Sequence, residues 1–227
     1  MDRPVIELKN LGKRFGTHWV LSQINLSVGA GESIALFGGN GSGKSTLLKI
    51  LATLLSPSRG SVLICGADAT HEKREIRELL RYLAHEKQLY GPLTVSETLQ
   101  LVAGLRQVTP PLAKKVKDEI LERLQLDRFS GKKVSQLSEG LKKRLVLARL
   151  LFGIEEAQLI LLDEPHPTLD KEGRRILDEL ISEWKKQGKT ILIASHDHAE
   201  ALAHADRLLV LDGGQLIYDG QPKGFSL

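Results

Sequence analysis

The residues able to do chemistry in this 227-residue sequence concentrate in two short stretches. The first is Gly38-Gly39-Asn40-Gly41-Ser42-Gly43-Lys44-Ser45-Thr46. Its glycines at 38, 41 and 43 let the backbone curl, with positive φ where needed, so that successive N–H groups converge on one anion. A helix opening near Lys44 adds the positive end of its dipole. Lys44 then reaches β and γ phosphates, and Ser45 presents its hydroxyl to Mg²⁺. The second stretch runs from Leu159 to Asp170, an apolar run followed by Asp163 and Glu164. A buried strand ending in Asp163 puts a carboxylate at the carboxyl edge of a sheet, where nucleotides bind in doubly wound folds. Asp163 is expected to hold Mg²⁺ through water, and Glu164 to orient and polarise an attacking water at the γ-phosphate. Taken singly, a glycine-rich turn and a terminated strand explain each stretch. Together they point to hydrolysis of a nucleoside triphosphate.

These stretches need a particular scaffold. Ser33–Phe37 reads as a buried strand ahead of the glycine-rich turn, with a helix from Lys44 to Leu55 stopped by Ser56-Pro57. Residues 5–8 and 24–28 alternate as half-buried strands, with turn chemistry around Gly12 and Gly16. Residues 61–65 form a further strand, and apolar residues at 76, 79 and 80 give 71–80 a helical spacing. From Thr94 to about Phe152 the pattern is helical, broken at Pro110-Pro111 and near Gly131. Apolar runs at 158–162, 190–194 and 207–211 suit parallel strands covered on both faces. The reading is one α/β core, 1–89 and 154–227, split by a helical insertion over 90–153.

Composition narrows the class. With 41% apolar residues and 26% charged residues the chain can bury a real core, which argues against wholesale disorder. One cysteine, Cys65, excludes an internal disulfide framework and a cysteine-cluster metal site, and fits a reducing compartment. No apolar run approaches the ~20 residues of a spanning helix. Met1-Asp2-Arg3-Pro4 does not open like a secretory signal, so a soluble, cytoplasmic protein is expected. The net charge of +4 is too mild to argue for a nucleic-acid partner. Residues 114–149 carry eleven Lys/Arg against five Asp/Glu. That excess reads either as a solvated helical face or as an approach to an anionic membrane or acidic partner.

Two more stretches complete a pattern. Leu137-Ser138-Glu139-Gly140-Leu141-Lys142-Lys143-Arg144 opens a helix within the insertion, and Ile193-Ala194-Ser195-His196-Asp197 closes a strand. With the P-loop, the Asp163-Glu164-Pro165 box and Leu169-Asp170, in this order, the chain resembles the ATP-binding subunit of ABC transporters from about residue 5 to 220. The resemblance implies a RecA-like P-loop NTPase core with an N-terminal antiparallel β portion and an inserted helical subdomain. It also implies ATP and Mg²⁺ as cofactors, a head-to-tail homodimer, and integral membrane subunits at whose cytoplasmic face the chain works.

Residue by residue, Phe15 matches the aromatic that stacks on adenine, with Trp19 as a competing platform. Ser138 and Gly140 match the signature that contacts the γ-phosphate held by the other subunit, and Asp170 matches the loop that crosses the dimer interface. His196 matches the histidine that hydrogen-bonds the γ-phosphate. The chain also departs from the pattern. Glu139 and Leu141 replace the third and fifth signature residues, and the Glu139 side chain is expected to turn away from the nucleotide. Pro167-Thr168 replaces a small pair and stiffens the loop before Leu169. His85 stands where the family has a glutamine that touches Mg²⁺ and links the site to the membrane subunit. Imidazole is a poor Mg²⁺ ligand, so His85 is expected to act through water or by sensing the partner. The Tyr82-Leu83-Ala84-His85 context looks like the ATPase subunit of the haem exporter used in cytochrome c maturation. Another ABC exporter, or a soluble ABC-type ATPase of iron–sulfur assembly or DNA repair, stands as the alternative.

Overall fold

A computed structural model describes residues 3–86, 88–167, 169–197, 199 and 202–224. They fall into two compact units: Met1–His85 with Glu156–Pro165 and Ile181–Leu227, and Glu86–Glu155 with His166–Leu180. The second unit therefore takes in 166–180 as well as a span close to the expected insertion.

The first unit holds two sheets. In the larger, β3 (Ser33–Phe37) lies between β8 (Thr190–Ser195) and β9 (Arg207–Asp212), parallel to both. Next to β8 runs β7 (Leu159–Asp163), then β6 (Leu80–Leu83), again parallel. On the far side β10 (Gln215–Gly220) pairs antiparallel with β9. Every residue of β7 and β8 is buried, which is why both read as unbroken apolar runs. Each fully buried leucine in these strands contributes about 1.5–3 kcal/mol through removal from water. The smaller sheet is antiparallel, in the order β2 (His18–Val28), β1 (Ile6–Phe15), β4 (Arg59–Ile64), β5 (Ala67–Asp68).

Several elements differ from the sequence reading. The strands of the first hairpin extend well beyond 5–8 and 24–28, because Gly12 lies inside β1 at a register shift instead of in a turn. Helix α1 (Lys44–Leu51) stops short of Leu55: Thr53 adopts a left-handed φ of 59°, and the N–H groups of Leu54 and Leu55 both return to the Lys49 carbonyl. Helix α2 (Lys73–Leu79) gives way at Leu80 to β6 without an intervening breaker.

In the second unit, α3 (Val95–Leu105) opens on a capping box: Thr94 Oγ1 accepts from the Glu97 N–H at 3.1 Å, and the Glu97 carboxylate accepts from the Thr94 N–H at 2.7 Å. These bonds hold the Glu97 carboxyl below its ordinary range. Pro110 and Pro111 start α4 (Pro110–Arg123) instead of breaking a helix, since the first turn has no use for their missing N–H groups. Ser138 caps α5 (Glu139–Leu151), its Oγ accepting from the Leu141 N–H at 3.3 Å. Helix α6 (Lys171–Lys186) begins in this unit and ends in the other. No helix among the described residues is long and apolar enough to cross a membrane.

Candidate functional site

The parallel pairing of β3, β8, β7 and β6 brings four chain segments to one sheet edge: the loop after Phe37, His196 after Ser195, Glu164 after Asp163, and Ala84-His85 after Leu83. The loop is built for close approach. Gly43 sits at φ 108°, where a Cβ would lie 2.7 Å from Leu21 Cδ2 and 3.0 Å from the Val20 carbonyl oxygen. At Gly38 a Cβ would lie 2.4 Å from the Leu211 carbonyl oxygen, so that position is glycine for want of space. Gly41 takes φ 81° in the open. Gly39, Asn40 and Gly41 are exposed, Ser42 and Gly43 are buried, and Ser45 and Thr46 are half-buried on the first turn of α1. The Ser42 hydroxyl is buried without a hydrogen-bond partner in a loop shaped to receive an anion.

Lys44 is buried, and its Nζ donates to the carbonyls of Gly38 at 2.7 Å and Gly39 at 3.2 Å. The same Nζ lies 3.7 Å from Glu164 Oε1. The other Glu164 oxygen is 2.9 Å from His196 Nδ1. Glu164 is itself buried and holds an unusual left-handed φ of 48°, fixed by its N–H donating to the Ala194 carbonyl at 3.0 Å. A cation, a carboxylate and a half-exposed imidazole are thus lined up at the strand ends, with Glu164 in the middle.

Beside them, Asp163 is fully buried. Its Oδ1 accepts from Ser45 Oγ at 3.1 Å and its Oδ2 from the Tyr82 hydroxyl at 3.2 Å. Burial pushes its carboxyl above the ordinary aspartate value, and the two hydroxyl donors pull partly the other way. A hydroxyl and a carboxylate oxygen side by side are the hard donors that suit Mg²⁺. Among the described residues no cluster of three His, Cys, Asp or Glu could hold a metal by itself. The pair therefore fits an ion that arrives with phosphate oxygens of its own.

The remaining candidates are placed as follows. Phe15 ends β1 half-exposed, with Lys13 Nζ 5.1 Å from its ring centroid. Trp19 is engaged by the Arg59 guanidinium at 4.8 Å and lies 6.0 Å from that of Arg14, which leaves it the more encumbered of the two aromatics. His85 is exposed. In the second unit, the Glu139 carboxylate accepts from Lys142 Nζ at 2.9 Å, one turn along its own helix. Thr168 lies outside the described residues.

That unit also contains a pairing the sequence reading gave no role. Arg144, buried on α5, forks onto Asp170: Nε donates to Oδ1 at 3.0 Å and Nη2 to Oδ2. Asp170 Oδ1 also accepts from the Gly173 N–H at 2.9 Å, and a Cβ on Gly140 would lie 3.5 Å from Asp170 Cβ. Signature residue and loop aspartate are thereby held together. The Arg144 hydrogen bonds depress the Asp170 carboxyl below its usual range. Stability from this pair is therefore present above the ordinary aspartate pKa and lost as pH falls through the lower folded-state value. Asp170→Ala, which leaves the buried guanidinium only the long 3.5 Å bond from its Nη1 to Gln125 Oε1, is expected to destabilise the chain by about 2 kcal/mol in urea unfolding at neutral pH. An unchanged midpoint would mean that water replaces the carboxylate freely. The Arg144–Asp170 spacing of 26 residues hides the pair from any local pattern. Tyr82, named above only as part of the stretch leading to His85, is given no role of its own there because its strand is not recognisable from sequence.

The family model described as ABC transporter matches residues 21–167. The probable sulfate/thiosulfate import ATP-binding protein CysA of Chlorella vulgaris is 35% identical over 97% of this chain and 93% of its own length. The Nod factor export ATP-binding protein I of Burkholderia lata is 34% identical over 96% of this chain and 71% of its own. Among solved structures, a dimeric ATP-binding cassette in a post-hydrolysis state, bound to ADP and Pi, superposes with a TM-score of 0.86 at 27% identity, covering 97% of this chain and all of that one. The chain belongs to the ABC transporter family as an ABC ATPase.

Proposed function

We propose that this chain is the subunit that binds and hydrolyses ATP for a transporter whose membrane-spanning subunits are separate proteins. The observation that carries the reading is Glu164, buried between Lys44 and His196 and next to the Ser45–Asp163 pair. In this reading Phe15 stacks on adenine and the N–H groups of 38–46 cradle the phosphates. Lys44 swings from its own loop carbonyls to the β and γ phosphates. Ser45 and Asp163 hold Mg²⁺, which when bound neutralises charge on the transferring phosphoryl group. Glu164 polarises the attacking water, and His196 steadies it against the γ-phosphate. Ser138, at the N-terminus of α5, and Gly140 would serve the nucleotide of a second, head-to-tail copy, and Asp170 would lie at that dimer interface. The solved dimeric cassette with ADP and Pi supports this arrangement. The test is ATP hydrolysis by the purified chain with Mg²⁺, together with gel filtration with and without ATP. A chain that neither turns over nor dimerises when co-expressed with membrane subunits would overturn the reading.

Attachment to the membrane from its cytoplasmic side follows from the same reading, and no nucleic-acid partner is required. Of the two relatives described above, one is named for import and one for export, so neither cargo nor direction is set by family membership. The narrower assignment to haem export in cytochrome c biogenesis rests on the resemblance of the Tyr82-Leu83-Ala84-His85 stretch, whose imidazole lies exposed at the exit of β6. His85 with the segment after it would form the docking surface for the membrane subunits. His85→Ala is expected to weaken coupling between the reconstituted complex and its ATPase while ATP affinity stays within a few-fold, since imidazole does not suit Mg²⁺. Loss of ATP binding in this variant would place His85 in the nucleotide site instead. Failure of haem to stimulate the complex would remove the haem assignment alone.

A further inference from the structure

Asp163 is served by two hydroxyls, and only one of them belongs to the phosphate loop. Tyr82 reaches it from the neighbouring strand. In the parallel register Tyr82 sits opposite Leu161, so its side chain shares a face with Leu161 and with Asp163 two residues on. Two residues of strand span about 6.6 Å, a distance a phenol covers. Its ring packs with the apolar cluster beneath the sheet while its hydroxyl donates to Asp163 Oδ2 at 3.2 Å.

The geometry points to Tyr82 as the positioning residue that fixes the metal-binding carboxylate. The terminal torsion of an aspartate is soft, so a donor on one oxygen alone leaves the carboxylate free to rotate. Ser45 holds Oδ1 at 3.1 Å and Tyr82 holds Oδ2 from the neighbouring strand. Asp163 is fully buried, so water does not readily take the place of a lost donor. Tyr82 thereby sets the direction of the lone pairs that the carboxylate presents beside Ser45. The strand that supplies Tyr82 also leads directly to His85, which places the carboxylate under the control of whatever moves that strand end.

This proposal rests on the reading that Asp163 serves Mg²⁺. The test measures affinity for the non-hydrolysable analogue AMP-PNP by calorimetry, once with Mg²⁺ and once with EDTA, in the parent and in Tyr82→Phe. The ratio of the two affinities isolates the metal's contribution. A variant that is merely less well folded lowers both affinities and leaves the ratio unmoved. The expected result is a ratio reduced about three- to tenfold in Tyr82→Phe, with the EDTA affinity unchanged. In an Asp163→Asn background the same substitution is expected to have no further effect on the ratio. An equal ratio in parent and Tyr82→Phe, or an undiminished effect in the Asp163→Asn background, would overturn the role of Tyr82. A parent ratio of one would overturn the metal reading of Asp163 itself, and the proposal with it.

Discussion

Replacing Glu164 with Gln is expected to slow ATP hydrolysis on the order of 10²-fold or more while leaving ATP binding intact. The substitution keeps the volume and the backbone that the φ of 48° requires, and the amide oxygen still accepts from His196 or Lys44. It removes the basic oxygen that polarises water in the proposed mechanism. The neighbours sharpen the effect, because in this buried site no other carboxylate is held between Lys44 and His196 among the described residues. An ATP-bound dimer that no longer turns over should accumulate and elute early on gel filtration with ATP. Turnover equal to that of the parent would remove Glu164 from the mechanism.

The second large effect belongs to Lys44. Lys44→Ala is expected to reduce ATP affinity about ten- to hundredfold, the equivalent of losing a charge-assisted hydrogen bond worth about 1.5–3 kcal/mol. The residue is only 6% exposed, so in the proposed site it would meet phosphate where water screens poorly. Its present bonds to the Gly38 and Gly39 carbonyls keep the ammonium satisfied and poised at the loop. Calorimetry on the purified variant decides the matter. An unchanged affinity would mean that the glycine-rich loop is not where phosphate binds.

What could be read from the sequence, and what could not, divides along the range of the forces involved. The glycine-rich turn is legible because its geometry is local: Gly43 must be glycine for its φ of 108°, and Lys44 and Ser45 follow at once on the helix. The buried strands β7, β8 and β9 are legible because parallel strands covered on both faces cannot alternate. Strand β6 is not legible. Leu80 and Leu83 continue the helical spacing of Ile76 and Leu79, and only pairing with β7, far along the chain, turns Leu80–Leu83 into a strand. Tyr82 is lost with it. Arg144 sits in plain view within the signature stretch, yet its partner is supplied by a loop on the other side of β7. Strand β10 left a signal in Gly213-Gly214 between two apolar runs, a hairpin turn whose strand is half-exposed and so weakly patterned.

The order of strands in the larger sheet has a consequence for how the chain is made. The strand that carries the phosphate loop, β3, finds its partners only at residues 191–195 and 207–210. A ribosome must therefore pass residue 190 before that strand has a neighbour on either side. The antiparallel sheet, by contrast, has all its strands by Asp68. During synthesis the N-terminal sheet forms first, and Ser33–Phe37 waits as an apolar segment with both edges open, the condition in which chains are captured by chaperones or by one another. Nucleotide has no formed loop to grip until β8 and β9 arrive. Competence to bind ATP thus waits on the strands at 190–212, and a chain interrupted before residue 190 exposes apolar surface without the ligand that would help to hold it folded.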